Sequence, residues 1–116
     1  MGDNFGDALD AADLVVSRSG AGHIFEAAAK GKPSILVPLP GSASDHQTKN
    51  AYAYAETGAA VVIQQENLLP SIFLNQISAI LGNSELAKKM SEAARKFYQS
   101  DSAKRIAEDI MSLINF

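Results

Sequence analysis

The run Leu14-Val15-Val16 passes through Ser17-Arg18-Ser19-Gly20-Ala21-Gly22 into a helix-forming stretch that ends at Lys30. A strand, a glycine-bearing loop and a helix in that order point to a parallel sheet, because such a helix returns the chain to start a neighbouring strand. The loop leaves backbone N–H groups facing one point, at the positive end of the helix dipole, where phosphate or diphosphate binds well. Glu26 follows, and its carboxylate can accept hydrogen bonds from sugar hydroxyls. The same residues also suit an ordinary βα turn. In that reading Gly20 and Gly22 permit the bend and Glu26 is a solvated first-turn acid.

The rest of the chain repeats the alternation. Asp7 to Ala12 reads as a short helical approach and Asp13 to Ser17 as a buried strand. A helix from Ala21 to Lys30 should stop at Gly31, with Pro33 beyond it. Ser34 to Leu39 is a second apolar strand, with Pro38 near its end. Asp45 is placed to cap a helix that runs to about Glu56 and stops at Gly58. Ala59 to Ile63 reads as a third strand, and Leu69 to Leu81 as a helix with Pro70 in its first turn. Gly82-Asn83 breaks that helix. Another runs from Ser84 to about Phe97, and a last one from Ala103 to about Ile114. Continuous apolar strands between helices imply α/β architecture, a parallel sheet covered on both faces. Open sheets of this kind commonly carry five or six strands. Three strands resemble half of one.

Composition narrows the function. At 116 residues, 47% hydrophobic and 20% charged, the chain suits one globular domain. A net charge of −3 gives no nucleic-acid footprint. With no cysteine, and only His23 and His46 as histidines, no metal-spaced cluster is expected. No apolar run is long enough for a membrane span, and Met1 to Gly6 lacks the features of a signal peptide, so a cytoplasmic location is expected. Arg18 suits either a phosphate or a surface ion pair. Tyr52, Tyr54, Phe25 and Phe73 read as core or helix-packing residues, and Lys88, Lys89, Arg95 and Lys96 as a solvated face.

Several motifs in order carry a resemblance. They are Ala11-Ala12-Asp13-Leu14-Val15-Val16-Ser17-Arg18-Ser19-Gly20-Ala21, Glu26-Ala27-Ala28-Ala29, Gly31-Lys32-Pro33 and Asp45-His46-Gln47-Thr48-Lys49-Asn50-Ala51. Together they resemble the MurG-type UDP-N-acetylglucosamine transferases, GT-B glycosyltransferases of family 28, in their C-terminal donor-binding domain. The resemblance runs from about Asn4 to Ile110. It implies a three-stranded parallel sheet with flanking helices, the second half of a Rossmann-like domain, with residues 1–116 as a partial UDP-sugar-binding domain. The implied activity adds N-acetylglucosamine from UDP-N-acetylglucosamine to lipid I, giving lipid II in peptidoglycan synthesis.

Carried over by position, the resemblance makes Ser19, Gly20, Ala21 and Gly22 the loop that receives the diphosphate and the near side of the sugar. It makes Glu26 the acid on the ribose hydroxyls. His46 and Gln47 become contacts to the donor sugar, Asn50 joins them from the same helix face three residues later, and Asp3-Asn4-Phe5 resembles the remains of the segment along the uracil. The family has threonine or serine where His23 stands; a protonated His23 would strengthen diphosphate binding and a neutral one would cap the loop. No catalytic residue, cofactor or metal ligand is carried over. The acceptor site, the general base and the membrane-facing patch are expected in a separate N-terminal domain. The complete enzyme is then expected on the inner face of the cell membrane, with no direct membrane contact from this part.

Two other functions fit the residues: a soluble donor-binding subunit of a split transferase, and a non-enzymatic nucleotide-binding module. The bacterial look of Gly31-Lys32-Pro33 and of Asp45 to Ala51 favours the first reading. Alone, the chain is expected to be inactive. Asp13 to Ser17 would then be an unblunted edge strand, and a homo-oligomer is expected to form through it.

Overall fold

A computed structural model describes residues 13–18, 20–39, 45–101, 103–105 and 107–108, with the backbone alone described for Ala21, Asp45 and His46. The first expected helix, Asp7 to Ala12, and the segment Asp3-Asn4-Phe5 lie outside these residues.

Strands β1 (Val15–Ser17), β2 (Ser34–Leu36) and β3 (Ala60–Val62) form a parallel sheet in the order β1-β2-β3. Val16 stands opposite Ile35, and Ile35 opposite Val61. The connections run through α1 (Ala21–Lys30) and α2 (Asp45–Glu56); α3 (Pro70–Leu81) and α4 (Ser84–Tyr98) follow β3. Residues 103–105 are again helical. This is the α/β arrangement that the alternating apolar runs imply.

Side chains alternate along a strand, so β2 faces two ways. Leu36 joins Ile24 and Ala28 of α1, Ala51 and Tyr54 of α2, and Ala94 and Phe97 of α4 in one core. Ile35 joins Ile63, Ile80 of α3 and Met90 of α4 in the other. Fully burying residues such as Ile24, Ile35 and Leu36 contributes roughly 1.5–3 kcal/mol each. Helix α4 feeds both cores, with Met90 in one and Ala94 and Phe97 in the other. β2 is buried throughout, whereas β1 lies at the edge of the sheet among the described residues, with Val15 buried and Val16 43% exposed.

The strands are shorter than their apolar runs. The chain leaves β2 after Leu36, just ahead of Pro38, which offers no donor to a ladder. Helix ends follow the expected glycines. Gly31 takes φ 64°, and its N–H and that of Lys32 bond back to Ala28 and Ala27. A Cβ at Gly31 would lie 2.6 Å from Nε of Arg95, and Ser91 Oγ donates to the Gly31 carbonyl. Arg95 therefore does more than line a solvated face: it lies across the end of α1 and donates to Ser91 Oγ. Asn83 caps α4, accepting from the Leu86 N–H at 3.1 Å.

Tyr52 departs from expectation. It is 41% exposed, and its hydroxyl accepts from Gln64 Nε2 at 2.6 Å. Tyr54 is core, 0% exposed, edge-on to Phe97 at 4.8 Å. Its hydroxyl has no partner among the described residues, and burial pushes the phenol above its ordinary value of about 10. A raised acid pKa favours the folded state below the unfolded value and withdraws that support as pH rises past it. Above about pH 10 the unfolded chain releases this proton while the fold retains it, so stability should fall by at most about 1.4 kcal/mol per pH unit. Tyr54→Phe is expected to remove that part of the alkaline slope, and to raise stability at neutral pH by about 1 kcal/mol or less. Urea unfolding at neutral and alkaline pH measures both. An alkaline slope identical to that of the unaltered chain would show that Tyr54 does not set it.

Candidate functional site

In an open parallel sheet ligands bind beyond the carboxyl ends of the strands. Here that edge gathers the segments that leave β1, β2 and β3. Arg18 and Gly20 follow β1, Val37 to Leu39 follow β2, and Gln64 and Gln65 follow β3. The N-termini of α1 and α2 begin on the same side, because each helix follows its strand.

Gly20 is the N-cap of α1, with φ −61° and ψ 145°, and no side chain among the described residues caps the helix. Its carbonyl accepts from the N–H of His23 at 3.0 Å and of Ile24 at 3.1 Å. The N–H groups of Ala21 and Gly22 precede those bonds and are the donors left over at a helix start. Neither Gly20 nor Gly22 has a positive φ, and nothing among the described residues lies within 4 Å of a Cβ built at either. The turn therefore does not need glycine at these two positions. Gly22 inside the helix even costs about 1 kcal/mol relative to alanine.

Gly22, His23 and Glu26 are exposed, and their spacing sets them on one face of α1. With a rise of about 1.5 Å per residue, Glu26 stands roughly 6 Å along the axis from Gly22. It belongs to the second turn; the first turn holds no acid. The dipole fades within that first turn, so a capping role does not account for Glu26. The His23 ring turns back to its own loop, Nδ1 lying 3.4 Å from the Arg18 carbonyl. Ser19 lies outside the described residues.

On α2, Gln47 and Asn50 are half-buried three positions apart, one turn before the buried Tyr54. Gln47 Oε1 accepts from the Leu39 N–H at 3.3 Å, which ties the start of α2 to the end of β2. His46 is helical, as expected. Arg18 has a neutral partner in the fold: its Nη1 donates to Gln65 Oε1 at 2.7 Å. Gln65 opens a 3₁₀ turn, Gln65–Asn67, that the sequence reading missed. The available signal was the polar pair Gln64-Gln65 directly after the apolar run of β3.

Among the described residues no group of three His, Cys, Asp or Glu side chains could hold a metal ion, and no helix is long and apolar enough to cross a membrane. A cleft of about 430 Å³ among Lys30, Lys32, Lys88 and Arg95 lies at the other end of the sheet, beside Asp13 and Pro33 where strands begin. Cations suit that position, at the negative end of α1.

Residues 2–110 match the profile of the glycosyltransferase family 28 C-terminal domain. The chain belongs to this family. It is 46% identical over 101 residues to a UDP-N-acetylglucosamine–N-acetylmuramyl-(pentapeptide) pyrophosphoryl-undecaprenol N-acetylglucosamine transferase of Solibacter usitatus, covering 87% of this chain and 27% of that protein. The transferase of the same name from Oenococcus oeni is 37% identical over 113 residues, covering 97% and 30%. The crystal structure of Acinetobacter baumannii MurG superposes with a TM-score of 0.70 at 36% identity, over 91% of this chain and 30% of that one. The chain thus spans less than a third of the length of these relatives. Its α/β fold is that of the family 28 C-terminal domain, as the motifs from Ala11 to Ala51 implied.

Proposed function

We propose that this chain is the donor-binding part of a MurG-like transferase, holding UDP-N-acetylglucosamine while its sugar passes to lipid I to give lipid II. The observation that carries the reading is the start of α1: a helix N-terminus at the carboxyl edge of the sheet with no side-chain cap among the described residues, bordered by two glycines whose conformations do not require glycine. In this reading the diphosphate lies against the loop from Ser19 to Gly22. Glu26, further along the same face, accepts from the ribose hydroxyls, and His46, Gln47 and Asn50 meet the sugar. His23 steadies the loop through Arg18.

The acceptor hydroxyl attacks the anomeric carbon, and the bond to the diphosphate breaks with its electron pair going to UDP. The N–H groups at the start of α1 face the charge that develops there. A base to take the acceptor proton comes from the acceptor-side domain, and the complete enzyme works at the inner face of the membrane.

Calorimetric titration of the chain with UDP and UDP-N-acetylglucosamine tests the reading. Glu26→Gln should weaken UDP binding about three- to tenfold, the loss of a charge-assisted hydrogen bond at an exposed site. The melting temperature should not move, because the side chain is exposed. Unchanged affinity in this variant would remove Glu26 from the site.

A further inference from the structure

Arg18 is fixed at both ends. Its carbonyl accepts from Ser17 Oγ at 2.9 Å, and its guanidinium reaches Gln65, 47 positions away in sequence. β1 and β3 flank β2, and strand spacing puts them about 10 Å apart. The bond therefore ties the segment that leaves β1 to the segment that leaves β3, at the same carboxyl edge where the diphosphate is proposed to lie.

We propose that Gln65 is a positioning residue for the donor diphosphate, holding the Arg18 guanidinium at the carboxyl edge with its positive charge undischarged. The inference rests on the donor-site reading above and extends it to a residue outside the motifs. The chemistry of the partner is the reason. An amide oxygen accepts one hydrogen bond from a guanidinium that offers five donors, and it brings no charge. A carboxylate would take two donors side by side and neutralise the cation. The chain has an acid next in sequence, Glu66, yet the residue that meets Arg18 is the neutral one. A device meant only to tie the loop after β1 to the turn after β3 would be stronger with glutamate. A device meant to present charge to an anion is better with glutamine. Anchoring at both ends also settles the rotamer of a long side chain before the ligand arrives.

Gln65→Glu separates the two roles. Both residues are exposed, so the variant should melt like the unaltered chain or slightly above it. UDP affinity, measured by calorimetry, should drop about tenfold in Gln65→Glu, and less in Gln65→Ala, which frees Arg18 but leaves its charge. The gap between Gln65→Glu and the unaltered chain should narrow from low to high salt, as a charge effect does. A Gln65→Glu chain that binds UDP as well as the unaltered one overturns the inference and leaves the donor site standing. So does a tenfold loss that salt does not change. Failure of the unaltered chain to bind UDP at all overturns the donor reading and this inference with it.

Discussion

Replacing Gly20 by aspartate is expected to stabilise the chain and to abolish UDP binding. The backbone at Gly20, φ −61° and ψ 145°, is open to any L-residue, and nothing among the described residues lies within 4 Å of the new Cβ. An N-cap aspartate accepts from the free N–H groups of α1 and sits at the positive end of its dipole. The gain over glycine is about 0.5–1 kcal/mol, a rise of a few degrees in melting temperature. The same carboxylate occupies the donors proposed for the diphosphate and repels it, which costs several kcal/mol, on the order of a hundredfold or more in affinity. Thermal melts and UDP titrations on one preparation measure both. Effects of opposite sign distinguish a binding site from a structural turn. A Gly20→Asp chain that melts higher and still binds UDP would move the diphosphate away from this helix.

The second large effect is expected at Gly31. Valine there must hold φ near 64°, a region that β-branched residues avoid, and its Cβ would fall 2.6 Å from Arg95 Nε. Arg95 can swing away, but only by giving up its hydrogen bond to Ser91, whose hydroxyl bonds the Gly31 carbonyl. Gly31→Val is therefore expected to cost about 2–3 kcal/mol. UDP binding by the fraction that remains folded should be unchanged, since Gly31 closes the opposite end of α1 from the site. Denaturant unfolding followed by circular dichroism gives the first quantity. A loss below about 0.5 kcal/mol would mean that the loop from Gly31 to Pro33 relaxes to another path.

Helix boundaries were legible in the sequence because they are set locally. Gly31 and Gly58 end α1 and α2 with positive φ, and Pro70 opens α3. Strand lengths were less so. Hydrophobicity records burial, and Val37 and Ile63 are buried one residue beyond the ends of β2 and β3, where each gives only a last backbone bond to the neighbouring strand, Val37 to Ser17 and Ile63 to Leu36. At the site, the open stripe from Gly22 to Glu26 follows from helical spacing alone. The partners of Arg18 and Gln47 do not. Arg18 to Gln65 and Ser91 to Gly31 join residues 47 and 60 positions apart, and only the packed fold brings such pairs together. Tyr52 shows the same limit: two positions from Tyr54 on one helix, it faces solvent and Gln64 while Tyr54 fills the core.

The order β1-β2-β3 matches the order of synthesis. Of these three strands a ribosome releases β1 first, followed by α1, and β2 can pair with β1 as soon as Ser34 to Leu36 emerge. β2 is buried on both faces and both edges, so it cannot finish burying its surface until Ala60 to Val62 arrive, more than 20 residues later. At chain growth of about 5–20 residues per second, that leaves an apolar, half-paired β2 exposed for one to a few seconds. Much of the interval is spent making α2, a helix whose buried Ala51 and Tyr54 pack on Leu36. Helix formation in well under a millisecond lets α2 shield one face of β2 before the third strand exists. The other face waits for α3, and on it chaperone recognition of the nascent chain would fall.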